Sequence, residues 1–425
     1  DLLCTEFIDG FTYFENVGTR ENPEYAGGRV LSALGHPVET ELCMIIPVAY
    51  DFDGDGDPDL VVGEEDGRVV YLEHTGAVID GMPQYRQPRF FSQFAADVKF
   101  GALSAPSSTD WDGDGLEDII TCNTVGFIGF IRNLGGYPPK WAPPVYLTAG
   151  GETIRIVAGV NGSIQGPAEE KWGYSNVSVG DWDGDGLTDI LELGIWGRVT
   201  LYRNVGSPTE PRLAPGKSLQ VAWDGPVPKP EWNWWDPVGN ELVTQWRSTP
   251  LMIDWDRDGL MDLVTLDTEG YLVLYRREKT PDGRLQLNPP ERVFLGRGFT
   301  TFNSVGLPVG PESATDEPLR MNAGTAGKSG RRTFCFVDWD GDGIRDLITN
   351  SQPNAALFIG RGQDNSGKWI FDYKGAMGER QLAGHSTAPT IVDWNSDKIP
   401  DLLLGAEDGF FYYLKNPRTN PDDFE

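Results

Sequence analysis

The sequence predicts an all-β fold, a seven-bladed β-propeller of four-stranded antiparallel blades with an acidic loop between the first and second strands of each blade. Three observations predict it. A nine-residue stretch, Asp-x-Asp-x-Asp-Gly-x-x-Asp in its fullest form, recurs six times, beginning at Asp51, Asp110, Asp181, Asp254, Asp338 and Asp393. Each copy lies between short apolar runs rich in Val, Ile, Leu, Phe and Tyr, which read as strands rather than helices. Glycine (53) and proline (31) are abundant, as turns between many short strands require. A recurring unit overrides length as a guide to domain number, so residues 1–425 are expected to form one domain.

Each repeat has the same order of parts. A first apolar strand leads into the loop, as in TPLMI before Asp254 and APTIV before Asp393. A second follows at once (DLVVGEE, DIITCN, DILELG, DLVTLD, DLITNS, DLLLGA). A turn then precedes the third (GRVVYLEH, GFIGFIRN, GRVTLYRN, GYLVLYRR, GFFYYLKN), and a poorer fourth carries Pro and aromatics (PQYRQPRFF, PKWAPPVYL). The opening DLLCTEFIDGFTYFENVGT aligns with DLVVGEEDGRVVYLEHTG from Asp59. Asp1 thus falls on the ninth position of a loop, and the first blade lacks its inner strand and most of that loop. Extra residues are expected upstream. Counting this blade, seven third strands give seven blades.

Three carboxylates at alternate positions converge on one hard cation when the backbone folds around it. The glycine at position six allows the sharp turn, position seven offers its carbonyl, and the ninth residue closes the shell. Such oxygen-rich coordination suits Ca²⁺. The expected ligands are Asp51, Asp53, Asp55, Asp57 and Asp59; Asp110, Asp112, Asp114, Leu116 and Asp118; Asp181, Asp183, Asp185, Leu187 and Asp189. The later loops offer Asp254, Asp256, Asp258, Leu260 and Asp262; Asp338, Asp340, Asp342, Ile344 and Asp346; Asp393, Asn395, Asp397, Ile399 and Asp401. The loops hold 24 Asp, so much of the net charge of −29 belongs to cation chemistry. That acidity argues against a nucleic-acid partner. No apolar stretch is long enough for a transmembrane helix. A monomer outside the cytosol is expected, where calcium is plentiful.

The aromatic at position two of each loop (Phe52, Trp111, Trp182, Trp255, Trp339, Trp394) recurs in every unit, so packing between blades outweighs sugar stacking as its role. Cys4, Cys43, Cys122 and Cys335 lie in strand-like runs without motif spacing and read as buried free thiols, a Cys4–Cys43 bridge remaining open.

These loops and their flanking strands resemble the FG-GAP/VCBS repeat family, found in integrin α-subunit propellers and many secreted bacterial proteins. Three departures stand out. Asn395 replaces the second Asp of the last loop, and Lys398 takes its glycine position, where a left-handed backbone is costly. Arg257 adds positive charge to the fourth loop. The site at Asp393 is therefore expected to be the weakest or empty.

In such a blade the loops share one face, and connections between blades emerge on the other. Residues 150–172, 222–246 and 295–331 are insertions in those connections, and long insertions on a rigid scaffold carry function. Residues entering each first strand from that face differ between repeats: Glu39 and Glu41, Ser104, Trp172 and Tyr174, Trp246 and Arg247, Arg331 and Arg332, and His385. The insertion also carries Trp232, Trp234 and Trp235, suited to stacking on sugar rings. A polysaccharide lyase acting on a uronate-containing glycan follows as the leading expectation. Arg247 and Arg332 would neutralise the carboxylate, and Tyr174 and His385 would share the proton transfers. Trp172, Trp246, Trp232, Trp234, Trp235, Glu41 and Arg331 would bind the chain. A non-catalytic glycan- or protein-binding propeller is the alternative. A glycoside hydrolase would use a pair among Glu39, Glu41, Glu231, Asp236 and Glu241.

Overall fold

The computed structural model describes residues 1–5, 10–33, 35–40, 45–64, 67–91, 98–160, 169–229, 235–324, 329–382 and 387–418. Among them there is no α-helix, and the chain is built of many small, mostly antiparallel sheets. Two compact units are distinguished, Asp1–Ala96 with Ala158–Trp172, and Asp97–Val157 with Gly173–Glu425.

The repeat builds the same sheet each time. Ala105–Thr109 pairs with Asp118–Cys122, which pairs with Ile128–Ile131, and Val145–Tyr146 lies outermost. The same order recurs in Asn176–Gly180, Asp189–Leu193, Val199–Tyr202 and Lys217–Ser218. Leu251–Ile253, Asp262–Leu266 and Leu272–Tyr275 form a three-stranded version, as do Ala388–Val392, Asp401–Gly405 and Phe411–Leu414. Phe334–Val337, Asp346–Asn350, Ala355–Gln363 and Trp369–Ala376 sit inside a six-stranded sheet. The second strands of these five sheets are buried throughout, which is why they read as apolar runs rather than as alternation.

In the second unit these sheets close a ring. The first strand Ala105–Thr109 lies against both Asn176–Gly180 and Ala388–Val392. Asn176–Gly180 in turn meets Leu251–Ile253, and Phe334–Val337 meets Ala388–Val392. The remaining step is made by the Thr249 N–H, which donates to the Arg332 carbonyl (2.9 Å), and the Phe334 N–H, which donates to Thr249 Oγ1 (3.3 Å). Five sheets of the second unit are joined in this way. The first unit holds two more sheets of the repeat, Leu2–Thr5 with Phe11–Phe14 and Arg29–Val30, and Ile46–Tyr50 with Asp59–Gly63, Val69–Leu72 and Arg89–Phe90. A separate apolar cluster around Phe11, Leu31 and Val62 forms its core. The count of repeats was legible; how they group depends on which first strands bury against each other.

The position-two tryptophans lock neighbouring sheets together. Trp111, Trp182, Trp255 and Trp339 are buried, each in a different apolar cluster of the second unit. The Arg345 guanidinium donates to the Trp255 carbonyl (2.8 Å) and Asn416 Nδ2 to the Trp339 carbonyl (3.0 Å), each reaching one sheet back. Phe52 differs, being half exposed against Tyr71 and Phe91. Trp255 meets Phe294, Phe336 and Trp369 edge-on at 4.9–5.4 Å. Trp255→Ala is accordingly expected to cost about 3–5 kcal/mol of stability, measured by denaturant unfolding.

Candidate functional site

The acidic loops are folded by their own carboxylates. The first Asp accepts backbone N–H donors from the turn: Asp181 Oδ1 from Gly184 (2.8 Å) and Oδ2 from Gly186 (2.9 Å), with Asp338 doing the same for Gly341 and Gly343. Position five caps position seven, as Leu187 N–H donates to Asp185 Oδ1 (3.0 Å). Position nine is a buried staple. Asp189 accepts from Trp182 N–H (3.0 Å) at one end of the loop and from Asn204 N–H (2.7 Å) at the end of the third strand. Both position four and position six take the left-handed backbone: Gly184 and Gly186 at φ 77° and 86°, Arg257 and Gly259 at 63° and 88°, Ser396 and Lys398 at 58° and 62°. The requirement at position four was missed in the sequence, although glycine stands there in four of the six copies.

These loops fit a hard cation. Among the described residues, three carboxylate oxygens lie within 4.8 Å of one another in the loops beginning at Asp51, Asp110, Asp181, Asp254 and Asp338. Asp57 Oδ1, Asp112 Oδ1 and Asp183 Oδ1 are buried without a hydrogen-bond partner, a cost that a cation would remove. Burial, followed by the neighbouring loop carboxylates, pushes Asp118 and Asp262 up to about 6, and Asp189 and Asp346 rise to the same level mainly through burial. Arginines at the ends of third strands offset part of this charge. Arg132 meets Asp112 (2.6 Å) and Asp114 (3.0 Å), Arg203 meets Asp183, and Arg276 meets Asp256 (2.7 Å).

The sixth loop is arranged differently. Asn395 Nδ2 donates to Asp397 Oδ2 (3.0 Å) and Asp401 Oδ2 (3.1 Å), Tyr413 OH donates to Asp401, and Lys415 Nζ stands 3.5 Å from Asp397. An amide nitrogen thus lies among the carboxylates that a cation would otherwise join. Mass-spectrometric metal counting is expected to find one cation fewer than the number of loops, and one more in Asn395→Asp. A full complement in the unaltered protein would contradict this.

About one strand length away, at the opposite ends of the first strands, the second unit has a small recess with a cavity volume of about 30 Å³. Ser104, Asn123, Thr124, Tyr174, Ser175, Asn176, Arg247, Arg331, Thr333 and Thr387 line it, with Leu103 and two alanines. Among the described residues its lining includes two arginines and no carboxylate. The Arg247 guanidinium lies 3.9 Å above the Tyr174 ring, a cation–π contact that fixes both.

The backbone here is strained in a repeating way. Leu103, Tyr174, Arg247 and Arg331 have φ of 54°, 47°, 59° and 47°. Each stands at the same count before the first Asp of its loop. Bulky residues at positive φ cost on the order of 1–3 kcal/mol each and cluster at functional sites. Hydrogen bonds between sheets hold them there. Gly173 and Tyr174 N–H donate to the Thr124 carbonyl (2.7 and 3.0 Å), and Thr124 N–H donates to Ala102 (3.0 Å). Gly330 N–H donates to Trp246 (2.7 Å), and Arg332 N–H donates to Arg247 (3.1 Å).

Of the residues singled out in the sequence, Ser104, Tyr174, Arg247 and Arg331 come together at this recess. Arg332 does not. It is fully buried, its Nε donating to the Met321 carbonyl (2.7 Å), Nη1 to Asn350 O (2.9 Å) and Oδ1 (3.2 Å), and Nη2 to Asn303 O. Arg332 is therefore withdrawn from the recess while its neighbour Arg331 lines it, the backbone between them turning through the left-handed residue 331. Trp246 is also fully buried, 5.5 Å from the Tyr174 ring, and offers no stacking face. Trp172 is buried in the first unit, and Glu39 there is exposed. Trp235 donates through Nε1 to the Trp196 carbonyl (2.9 Å) under the Arg198 guanidinium. Glu241 accepts from Val238 N–H (2.8 Å), and Asp236 pairs with Lys229. Glu41, Trp232, Trp234, Glu231 and His385 lie outside the described residues, as does Cys43. Cys122 and Cys335 are buried free thiols, while Cys4 is exposed. Asn123, Thr124 and Thr387 were missed; they lie at turns whose role only the ring reveals.

Residues 51–121 match the FG-GAP-like repeat family. Among curated proteins none matches the chain. Solved structures similar to it include an Agrocybe aegerita lectin described as recognising non-reducing terminal N-acetylglucosamine, at 16% identity over 97% of this chain and 91% of that one, TM-score 0.32. A Bacillus licheniformis rhamnogalacturonan lyase is 12% identical over 97% and 80%, TM-score 0.30. BBS1N in complex with ARL6DN is 12% identical over 88% and 91%, TM-score 0.28.

Proposed function

We propose that this chain, which carries an FG-GAP-like repeat at residues 51–121 and further loops of that pattern to Asp393, is a secreted carbohydrate-active propeller. Its chemistry is that of a polysaccharide lyase acting on a uronate-containing glycan at the recess. One observation supports this above the rest: in a chain of net charge −29, Arg247, Arg331 and Tyr174 meet in a recess with no carboxylate among its described lining residues. Such a pocket favours an anionic ligand group, and guanidinium forks suit a sugar carboxylate. Calcium in the acidic loops is structural in this reading, holding hairpins at the far ends of the strands.

β-Elimination then needs three things of the recess. The arginines hold the uronate carboxylate and stabilise the negative charge that builds on it when the C5 proton leaves. The Tyr174 oxygen, as phenolate, takes that proton. The electron pair forms the C4=C5 double bond, the C4–O bond breaks, and the phenol proton passes to the leaving oxygen. Incubation with a panel of uronate polysaccharides is expected to yield unsaturated products that absorb in the ultraviolet, and Tyr174→Phe to abolish them. Absence of product across the panel would refute the lyase reading.

Among the described lining residues Tyr174 is the one side chain able to serve as base, and this favours a second reading, binding without turnover. Saturable glycan binding with no product would establish it. The glycoside hydrolase is disfavoured, since no described carboxylate lines the recess.

A further inference from the structure

Behind the recess wall lies a carboxyl group with no counterpart in the other sheets of the second unit. Glu192 stands three residues after the ninth loop position, where the others have Thr121, Thr265, Thr349 and Leu404. It is fully buried. Strand register sets it opposite Val177 on one side and Thr200 on the other, so its side chain shares a face with Ser175 and Arg198. Its Oε1 has no hydrogen-bond partner and lies so close to the following turn that a Cβ on Gly194 would stand 2.5 Å away. That turn grips the recess wall, the Ile195 N–H donating to the Gly173 carbonyl (2.6 Å). From the neighbouring sheet the Cys122 thiol donates to the Ser175 carbonyl (2.7 Å).

We propose that Glu192 is the positioning residue of the recess: it braces the Gly173–Ser175 wall and so sets where the Tyr174 ring stands. Burial pushes its carboxyl up to about 8, against the lowering influence of the Ser175 and Thr200 hydroxyls and of Arg198. The other titratable groups facing it are Cys122 on the adjacent sheet and Tyr202 on its own, both uncharged at neutral pH. Arg198 is shared with Glu241 (3.5 Å) and with the Trp235 ring (4.0 Å). Above pH 8 the group ionises in a place that water does not reach. It then strains the wall and sets a negative charge behind an anion site.

The affinity part of the test rests on the reading that the recess takes a carboxylated sugar; the spectroscopic part does not. Calorimetric titration with glucuronate and galacturonate is expected to show affinity falling about ten-fold between pH 7 and pH 9. The isosteric Glu192→Gln should bind as the unaltered protein does at pH 7 and lose that pH dependence. Without ligand, the fluorescence of Trp246 beside Tyr174 should titrate near pH 8 in the unaltered protein and not in Glu192→Gln. A merely structural glutamate would change the melting temperature and leave both profiles as they were, which would overturn the proposal. Failure of both sugar acids to bind, with the fluorescence titration intact, would sink the recess reading and leave Glu192 standing.

Discussion

Chelation is expected to lower the melting temperature by roughly 10–20 °C at pH 7.5, and to invert the way stability depends on pH. A cation held at about 100 times its dissociation constant stabilises by about 2.7 kcal/mol per site, and several loops act together. The inversion follows from four ninth-position carboxylates of the second unit. Asp118, Asp189, Asp262 and Asp346 rise to about 6 in the folded, cation-free chain, against about 4 when unfolded. Between those values the folded state binds more protons than the unfolded one, so stability falls as pH rises through that window. The chelated protein should therefore melt higher at pH 5 than at pH 7.5. With calcium present the order should reverse, because ionised carboxylates are what the cation needs. Thermal melts over pH 4.5–8, with chelator and with calcium, check both statements. Equal melting temperatures in the two series would remove the cation from the account of these loops.

The second large effect separates two adjacent arginines. Arg331→Ala is expected to weaken binding or turnover of a carboxylated sugar by about 100-fold while leaving stability within about 1 kcal/mol. Arg332→Ala is expected to do the opposite, costing about 3–5 kcal/mol of stability, since it strips the carbonyls of Met321, Asn350 and Asn303 of a buried cationic donor. Denaturant unfolding and calorimetric titration of the two variants side by side provide the check. If both lose stability and neither loses affinity, Arg331 belongs to the scaffold and the recess is not the ligand site.

That pair also shows what the sequence could and could not disclose. The loops, the strands beside them and the number of repeats were legible because each rests on local chemistry: a carboxylate three residues from a glycine, an apolar run of strand length. Packing of the position-two tryptophans was legible as well, since a ring present in every unit must serve the unit. The choice between Arg331 and Arg332 was not, because it turns on one dihedral angle, and neither residue is a glycine that would announce it. A signal existed nonetheless. Counting back a fixed number of residues from the first Asp of each loop reaches Leu103, Tyr174, Arg247 and Arg331 alike. The grouping of repeats into two units, and the wall residues Asn123 and Thr124, depend on contacts between distant segments and left no local trace.

Those four left-handed positions have a consequence for diversification. Their backbone angles are imposed by hydrogen bonds running from sheet to sheet, not by the residues that occupy them, as the range from leucine to tyrosine to arginine attests. A side chain there can be exchanged without renegotiating the scaffold, so the four sites are variable letters facing a shared centre, Tyr174 and Arg247 being coupled through their ring contact. Saturating them alone, with every loop and strand left untouched, should be enough to redirect what this framework recognises.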